Sequence, residues 1–151
     1  YRSMSKTRWV RCYEDNIPQN SVVGGTDEGR DLFVARAWHN NDLLPGKAIR
    51  SHRCCYVCWR GREYKYTLYE LLVNDGASLK WMPSGNGYVP KGAITGGETS
   101  YGERLYIGRT RHEGTLTVGK IHRSHGSIYI PYGGSEHRYN GYEVLVNADE
   151  C

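Results

Sequence analysis

The stretch that decides the fold reads Leu-Phe-Val-Ala-Arg at residues 32–36, because a near copy, Leu-Tyr-Ile-Gly-Arg, occupies residues 105–109. When these two stretches are superposed, the match extends in both directions along the chain. Gly-Lys recurs at residues 46–47 and 119–120, and Gly-x-Glu recurs at residues 61–63 and 134–136. Self-similarity of this kind is the signature of a duplicated unit, here of about 70 residues.

Each unit is predicted to consist of short strands and turns. Runs such as Ile-Tyr-Ile at residues 128–130 are β-type, most runs end at Gly, Pro, Asn or Asp, and no stretch keeps helical periodicity over three turns. We expect repeat 1 to span residues 9–73 and repeat 2 to span residues 81–146. One such unit buries too little surface to be stable alone. The fold is therefore predicted to be all-β, with antiparallel sheets, a shared core, a pseudo-twofold axis and strand exchange between repeats.

Two kinds of recurring residue are assigned to structure. Trp9 and Trp81 are expected to anchor the core. The pairs Gly24-Gly25 and Gly96-Gly97 are expected to form turns that need positive φ.

The aromatic composition favours half-wet surfaces and concave sites. The chain has 13 Tyr and 4 Trp but 1 Phe, and Tyr and Trp suit concave, half-wet sites because each combines an apolar ring with a polar tip. The net charge is +4, with 20 basic residues spread among 16 acidic ones. This interleaving argues against a nucleic-acid partner, and no apolar run is long enough for a membrane span.

The five cysteines are interpreted as disulfide-forming, which predicts a secreted protein, with a cytoplasmic location as the alternative. Three of them cluster at residues 54–58, and the odd count leaves at least one unpaired. Free buried thiols are the second interpretation. A zinc site is the third, but Cys55-x-x-Cys58 lacks the second ligand pair that such a site normally has.

A candidate binding site follows from two polar positions. Lys47 and Lys120 each follow a Gly, and an acid follows each Gly-Gly pair: Asp27 in the first repeat and Glu98 in the second. A carboxylate that accepts and an ammonium that donates can together hold two adjacent hydroxyls of a sugar. If Glu98 is an inserted residue, Asp27 instead aligns with Ser100. The alternative for the lysines is a solvated surface charge.

Aromatic residues could complete such a site by stacking on the sugar. Trp38 and Tyr101 are the candidates, and burial of each in the core is the alternative.

Catalysis and metal binding are weaker interpretations of the other recurring residues. Glu63/Glu136 and Glu70/Glu143 could form glycosidase carboxylate pairs, but we favour strand and turn residues that pair with arginine. His39/His112 and His52/His125 could bind metal, but a structural or exposed role fits better. No enzyme activity, metal or cofactor is predicted.

The combined motifs resemble the DM9 repeat. They are Pro-x-x-Ala/Ser-Val/Ile-x-Gly-Gly, Leu-Phe/Tyr-Val/Ile-Ala/Gly-Arg, Gly-Lys, Gly-x-Glu and Tyr-Glu-x-Leu, in order, in both halves. The DM9 family includes mannose-binding lectins of oyster that act in innate recognition. The resemblance implies two repeats with exchanged strands and one sugar site in each. It assigns Asp27 and Lys47 to the first site and Lys120 to the second, where Glu98 at best replaces the aspartate.

The function expected from the sequence is therefore that of a secreted lectin for mannose-type glycans, with a homodimer as its assembly. The alternative is a secreted structural or adhesive repeat protein without sugar binding, cross-linked through Cys151.

Overall fold

The computed structural model describes residues 6–151, which fold into fourteen antiparallel strands and three short 3₁₀ turns. The first half contains β1 (Thr7–Tyr13), β2 (Val23–Asp27), β3 (Arg30–His39), β4 (Asp42–Ile49), β5 (Cys54–Trp59), β6 (Arg62–Tyr66) and β7 (Leu68–Asn74). The second contains β8 (Leu79–Gly85), β9 (Thr95–Glu98), β10 (Arg104–His112), β11 (Thr115–His122), β12 (Ser127–Tyr132), β13 (Ser135–Tyr139) and β14 (Gly141–Asn147). The 3₁₀ turns are Arg50–His52, Arg123–His125 and Ala148–Glu150. The prediction of an all-β fold is confirmed.

The strands of each half pair in the same order. In the first half, β3 pairs with β4, β4 with β5 and β5 with β6, while β7 lies between β1 and β3. In the second half, β10 pairs with β11, β11 with β12 and β12 with β13, while β14 lies between β8 and β10. This order places β4 and β11, the strands that carry Gly-Lys, in the middle of their halves.

Three contacts join the halves edge to edge, and together they form the seam between the halves. β2 pairs with β11 at Thr26 and Leu116, and β4 pairs with β9 at Leu43 and Glu98. The turns before β6 and β13 also meet, since Arg62 pairs with Ser135. The two halves therefore form one continuous hydrogen-bonded sheet.

The core is shared in the same way. One buried cluster takes Val34 and Leu72 from the first half and Ile107, Val118 and Leu145 from the second. Trp9 and Trp81 are half-buried and pack against this cluster, as expected of core anchors. Among residues 6–151, no helix has the length and apolar character that crossing a membrane would need.

The Gly-Gly pairs have a different role from the one that the sequence suggested. Gly25 lies in β2 and Gly97 in β9, and neither has positive φ. A Cβ atom on Gly25 would lie 1.8 Å from the carbonyl oxygen of Leu116, and one on Gly97 would lie 1.9 Å from that of Leu43. The prediction of turns was wrong: the glycines allow the backbones of the two halves to approach each other.

The cysteine interpretation also needs correction. All five cysteines, each within the described residues, are free thiols. Cys12, Cys54, Cys55 and Cys58 are buried, and desolvation raises the pKa of each thiol, so these side chains behave as small neutral core residues. Cys151 is exposed. The structure therefore supports the second interpretation of the cysteines, buried free thiols, over disulfides.

We expect Gly119→Ala to destabilise the protein strongly, because its Cβ would lie 2.1 Å from the carbonyl oxygen of Tyr129. Crowding of this kind costs about 3 kcal/mol. Gly141→Ala is the matched control, since a Cβ there meets nothing within 4 Å and Gly141 does not have positive φ. Urea unfolding of the two variants measures the difference, and equal effects would contradict the proposed close approach of the strands.

Candidate functional site

Two buried lysines are the most unusual feature of the molecule. Lys47 lies in β4 with 3% of its surface exposed, and Lys120 lies in β11 with 5% exposed. The glycine before each lysine leaves room for the backbone of the next strand. Because a buried ammonium group is costly unless it is paired and hydrogen-bonded, these positions are not solvated surface charges, and their partners define a site.

The partners of Lys120 come from both halves. Its Nζ lies 3.1 Å from Oε2 of Glu136 and donates a hydrogen bond of 2.6 Å to the carbonyl oxygen of Cys58. The ring centroid of Tyr129 is 5.5 Å from the same Nζ. The other oxygen of Glu136 accepts a hydrogen bond from the N–H of Gly61. The first half therefore orients the carboxylate that pairs with a lysine of the second half.

The environment of Lys47 is similar in its aromatic rings and acids, but among the described residues its Nζ has no ion pair or hydrogen bond like those of Lys120. Its Nζ lies 5.2 Å from the ring centroid of Tyr132, across the seam, and 5.8 Å from that of Tyr56. Desolvation lowers the pKa of Lys47, and the negative charges of Glu63 and Asp27 oppose that shift. Oε1 of Glu63 accepts a hydrogen bond from the N–H of Gly134. The charge of Asp27 thus acts on Lys47, and the role of both residues in holding a sugar stays a prediction.

Sequence reasoning gave the Gly-x-Glu motif the wrong partner. Glu63 and Glu136 were expected to pair with arginine, but Glu136 pairs with Lys120, and Glu63 acts on Lys47. The arginine interpretation does apply to Glu70 and Glu143, which bind Arg36 and Arg109 at 2.7 and 2.8 Å. The signal that could have found the pairing was the recurrence of Gly-Lys and Gly-x-Glu together in each half.

A cavity of about 650 Å³ opens beside Lys120 and is lined by both halves. Leu44 and Leu105 give it an apolar wall, and Trp59 and Tyr101 give it aromatic surfaces. Tyr101 is 96% exposed at its rim. The polar lining consists of Asn40, Asp42, Arg60, Thr99, Ser100, Glu103, Lys120, His122, Ser124, His125, Tyr129 and Glu136.

Glu98 lies outside this lining. It pairs with Leu43 and with Arg104, and its side chain is exposed. Since Leu43 corresponds to Leu116 in the repeat, and Leu116 pairs with Thr26, Glu98 occupies the position of Thr26. The position of Asp27 is taken by Thr99, and the extra residue of the second repeat lies within the turn that carries Tyr101. The role predicted for Glu98 stays a prediction.

Trp38, the other aromatic candidate, lies elsewhere. It is exposed and lines a groove of about 380 Å³ with Arg36, Leu68 and Glu70. It is therefore separate from the cavity beside Lys120.

A model of the DM9 repeat matches residues 26–139. The chain belongs to the DM9-repeat family. Natterin-4 from Thalassophryne nattereri is 30% identical over 99% of the chain, and Natterin-3 from the same organism is 30% identical over 89%. This DM9 chain covers 36% and 34% of those two proteins, so it spans about a third of their length.

A solved structure shows the same fold. The nematode sperm cell motility protein MFP2B superposes with a TM-score of 0.68 over 96% of this DM9 chain and 47% of its own, at 19% sequence identity.

The recurring histidines of the DM9 chain contact tyrosines. Nδ1 of His39 and of His112 each lie 2.5 Å from a hydroxyl, of Tyr66 and Tyr139 respectively. His52 and His125 contact the hydroxyls of Tyr56 and Tyr129 through Nδ1. Within residues 6–151, no group of three or more His, Cys, Asp or Glu side chains could hold a metal ion.

We expect Lys120→Met to lower the free energy of unfolding by about 3–5 kcal/mol, because it leaves the Glu136 carboxylate buried without a cation. Adding Glu136→Gln to that variant should recover most of the loss. Arg8→Met is the control, because its ion pair with Asp75 is exposed and contributes less than about 1 kcal/mol. Denaturant titration of the four proteins, with wild type as reference, measures these values. A loss for Lys120→Met no larger than the control's would refute the pairing argument.

As the pH is lowered, the protein should lose stability at pH values above those at which its carboxylates titrate. Desolvation lowers the pKa of His39, His112 and His122 in the folded state. The unfolded chain therefore binds more protons, and the free energy of unfolding should fall as pH drops below about 6.5. Urea titrations between pH 7.5 and 5.5 test this, and His39→Phe should reduce the slope. A stability that stays constant over this range would rule the effect out.

Proposed function

We propose that this DM9 chain binds carbohydrate, with one site around each buried lysine, and that it recognises mannose-type glycans. The observation that carries the proposal is the Lys120 cavity, in which a buried ammonium, several carboxylates and two aromatic surfaces surround a space of about 650 Å³. Concave pockets in which fixed polar groups converge beside aromatic surfaces are typical of small-ligand sites.

The donor and acceptor arrangement suits a sugar diol. An ammonium group has three donors, and Glu136 and the Cys58 carbonyl engage two of those of Lys120. One donor is left for a hydroxyl oxygen in the cavity. Neighbouring carboxylates can accept from hydroxyl groups. Tyr101 presents a ring surface on which the C–H face of a pyranose can pack, whereas Arg60 lies over the Trp59 ring at 4.4 Å.

The proposed binding needs no metal ion, because lysine supplies the positive partner of the sugar oxygens. It also involves no catalysis. Glu63 and Glu136 each accept a backbone hydrogen bond and lie near a lysine. They therefore have the environment of positioning groups rather than of a glycosidase acid and nucleophile.

We propose innate recognition of glycans outside the cell as the use of this binding. A single monosaccharide contact would be weak, roughly millimolar, or about 4 kcal/mol. Two sites in one chain, or four in a homodimer, would raise the apparent affinity for clustered glycans by ~10²-fold or more.

We also propose that the two repeats are related by a pseudo-twofold axis and exchange strands. The support is the pairing of β2 with β11 and of β4 with β9, at corresponding positions of the two repeats. Such an arrangement would generate the two sites as equivalent hollows on the seam.

Tyr101→Ala should weaken binding of mannotriose by about 2- to 10-fold, the range expected for loss of one stacking ring. Stability should not change, because Tyr101 is 96% exposed. Tyr88→Ala is the matched control, since Tyr88 is also exposed but does not line this cavity. Affinity is measured by titration followed by NMR, in buffer containing EDTA.

Absence of any binding by the wild type to mannotriose and to a glycan array would overturn the proposed function. If Cys151-linked ladders then appeared on a non-reducing gel, the structural or adhesive alternative would be supported. Release of product from a chromogenic glycoside would show catalysis instead.

A further inference from the structure

The two lysine sites differ in the origin of their acid. Around Lys47, the acid is Asp27, which ends β2 of the same half. Since Thr26 pairs with Leu116, the register of β2 and β11 puts Thr115, which is buried, opposite Asp27. Its hydroxyl hydrogen-bonds to the carbonyl oxygen of His112 and to the hydroxyl of Thr117. The second half thus contributes no carboxylate from this strand position.

Around Lys120 the acid lies at the other of these two positions. The position of Asp27 is occupied by Thr99, which carries no charge. The position of Thr115, the first residue of its strand, is occupied by Asp42 at the start of β4. Asp42 and Lys120 line the same cavity. Each site therefore has one acid at this pair of positions, from its own half in the first site and from the opposite half in the second.

Asp42 has the geometry of a ligand-binding group. It is 9% exposed, and Oδ1 accepts a hydrogen bond of 2.8 Å from the N–H of Ser100, in the turn that carries Tyr101. Among the described residues, Oδ2 has no hydrogen-bond donor. Because Asp42 lines the cavity and Oδ2 is not one of the fully buried unpartnered atoms of the described residues, this oxygen is available to accept a hydrogen bond from a hydroxyl group there.

Asp42 and Lys120 also act on a common neighbour. Burial lowers the pKa of His39, while the charge of Asp42 raises it and the charge of Lys120 lowers it. Both charges are therefore within electrostatic reach of the same ring.

We propose that the second sugar site is a composite of both halves, in which Asp42 supplies the acid that the sequence assigned to Glu98. Asp42 accepts a hydrogen bond from one sugar hydroxyl, and Lys120 donates to the oxygen of its neighbour. Asp42, Glu103 and Glu136 outnumber Lys120 and Arg60 around the cavity, so the ligand is a neutral saccharide rather than an acidic one. This inference rests on the proposed function.

The test uses methyl α-mannoside and the backbone amide signals of each site. Signals of residues 27–29 report on the first site, and those of residues 99–102 report on the second. In the wild type both sets should shift on titration. Asp42→Asn should weaken the response of residues 99–102 at least tenfold and leave that of residues 27–29 unchanged. Asp27→Asn should give the reverse, and Glu98→Gln should leave both responses unchanged.

A second substitution protects against a folding defect. Asp42→Thr introduces the residue that the fold already holds at the corresponding position, Thr115, and it should have the same effect as Asp42→Asn. The inference is overturned if both Asp42 variants titrate like the wild type, or if Glu98→Gln abolishes the response of residues 99–102. If neither set of signals shifts in the wild type, the proposed function itself fails, which is a distinct result.

Discussion

The burial of two ammonium groups is the constraint on which the rest of this molecule depends. A lysine with 5% of its surface exposed is tolerable only if fixed acceptors replace water around it. For Lys120 these acceptors are Glu136 of its own half and the Cys58 carbonyl of the other. Since Glu136 is itself held by the N–H of Gly61, neither half can satisfy this charge alone. The same contacts therefore neutralise the charge of Lys120 and hold the two halves together.

Matching contacts between the two halves also occur where the core meets the seam. Arg36 stacks on Trp9 at 4.0 Å, pairs with Glu70 and also hydrogen-bonds to the carbonyl oxygen of Gly96 in the other half. Arg109 corresponds to Arg36 and makes the matching contacts with Trp81, Glu143 and Gly24. Glycine is needed at both positions because a Cβ on Gly24 would lie 2.6 Å from the side chain of Val118, and one on Gly96 would lie 2.8 Å from that of Pro45. Core, seam and site are therefore built from residues that recur in both repeats.

The recurring residues could be predicted from the sequence, but their partners could not. The pattern of the repeat identified several of the strands and singled out Lys47, Lys120 and Asp27, but it left open whether the lysines are buried. It could not show that Gly25 meets the backbone of Leu116, because that contact joins positions far apart in the chain. The Gly-Gly pairs were read as turns for this reason. The cysteines were read as disulfides because their clustering in sequence gives no information on which face of a strand each thiol takes.

The proposed second site shows a different limit on prediction from the sequence, and an inserted residue sets that limit. Alignment alone allowed Glu98 to stand opposite Asp27, and the pairing of Glu98 with Leu43 removed that choice. Duplication also allows one residue to compensate for another across the seam, and an alignment of the two copies does not show such compensation. When a site lies on the seam between repeats, an acid lost from one wall can be replaced by an acid on the facing wall. Asp27 with Thr115, and Thr99 with Asp42, are the two forms of that exchange. A position-by-position comparison of the two repeats shows only that one copy lacks an acid at each of these positions. The pairing of Leu43 with Glu98 across the seam puts Asp42 opposite Thr99 in register, and this supports the charge balance proposed around each lysine.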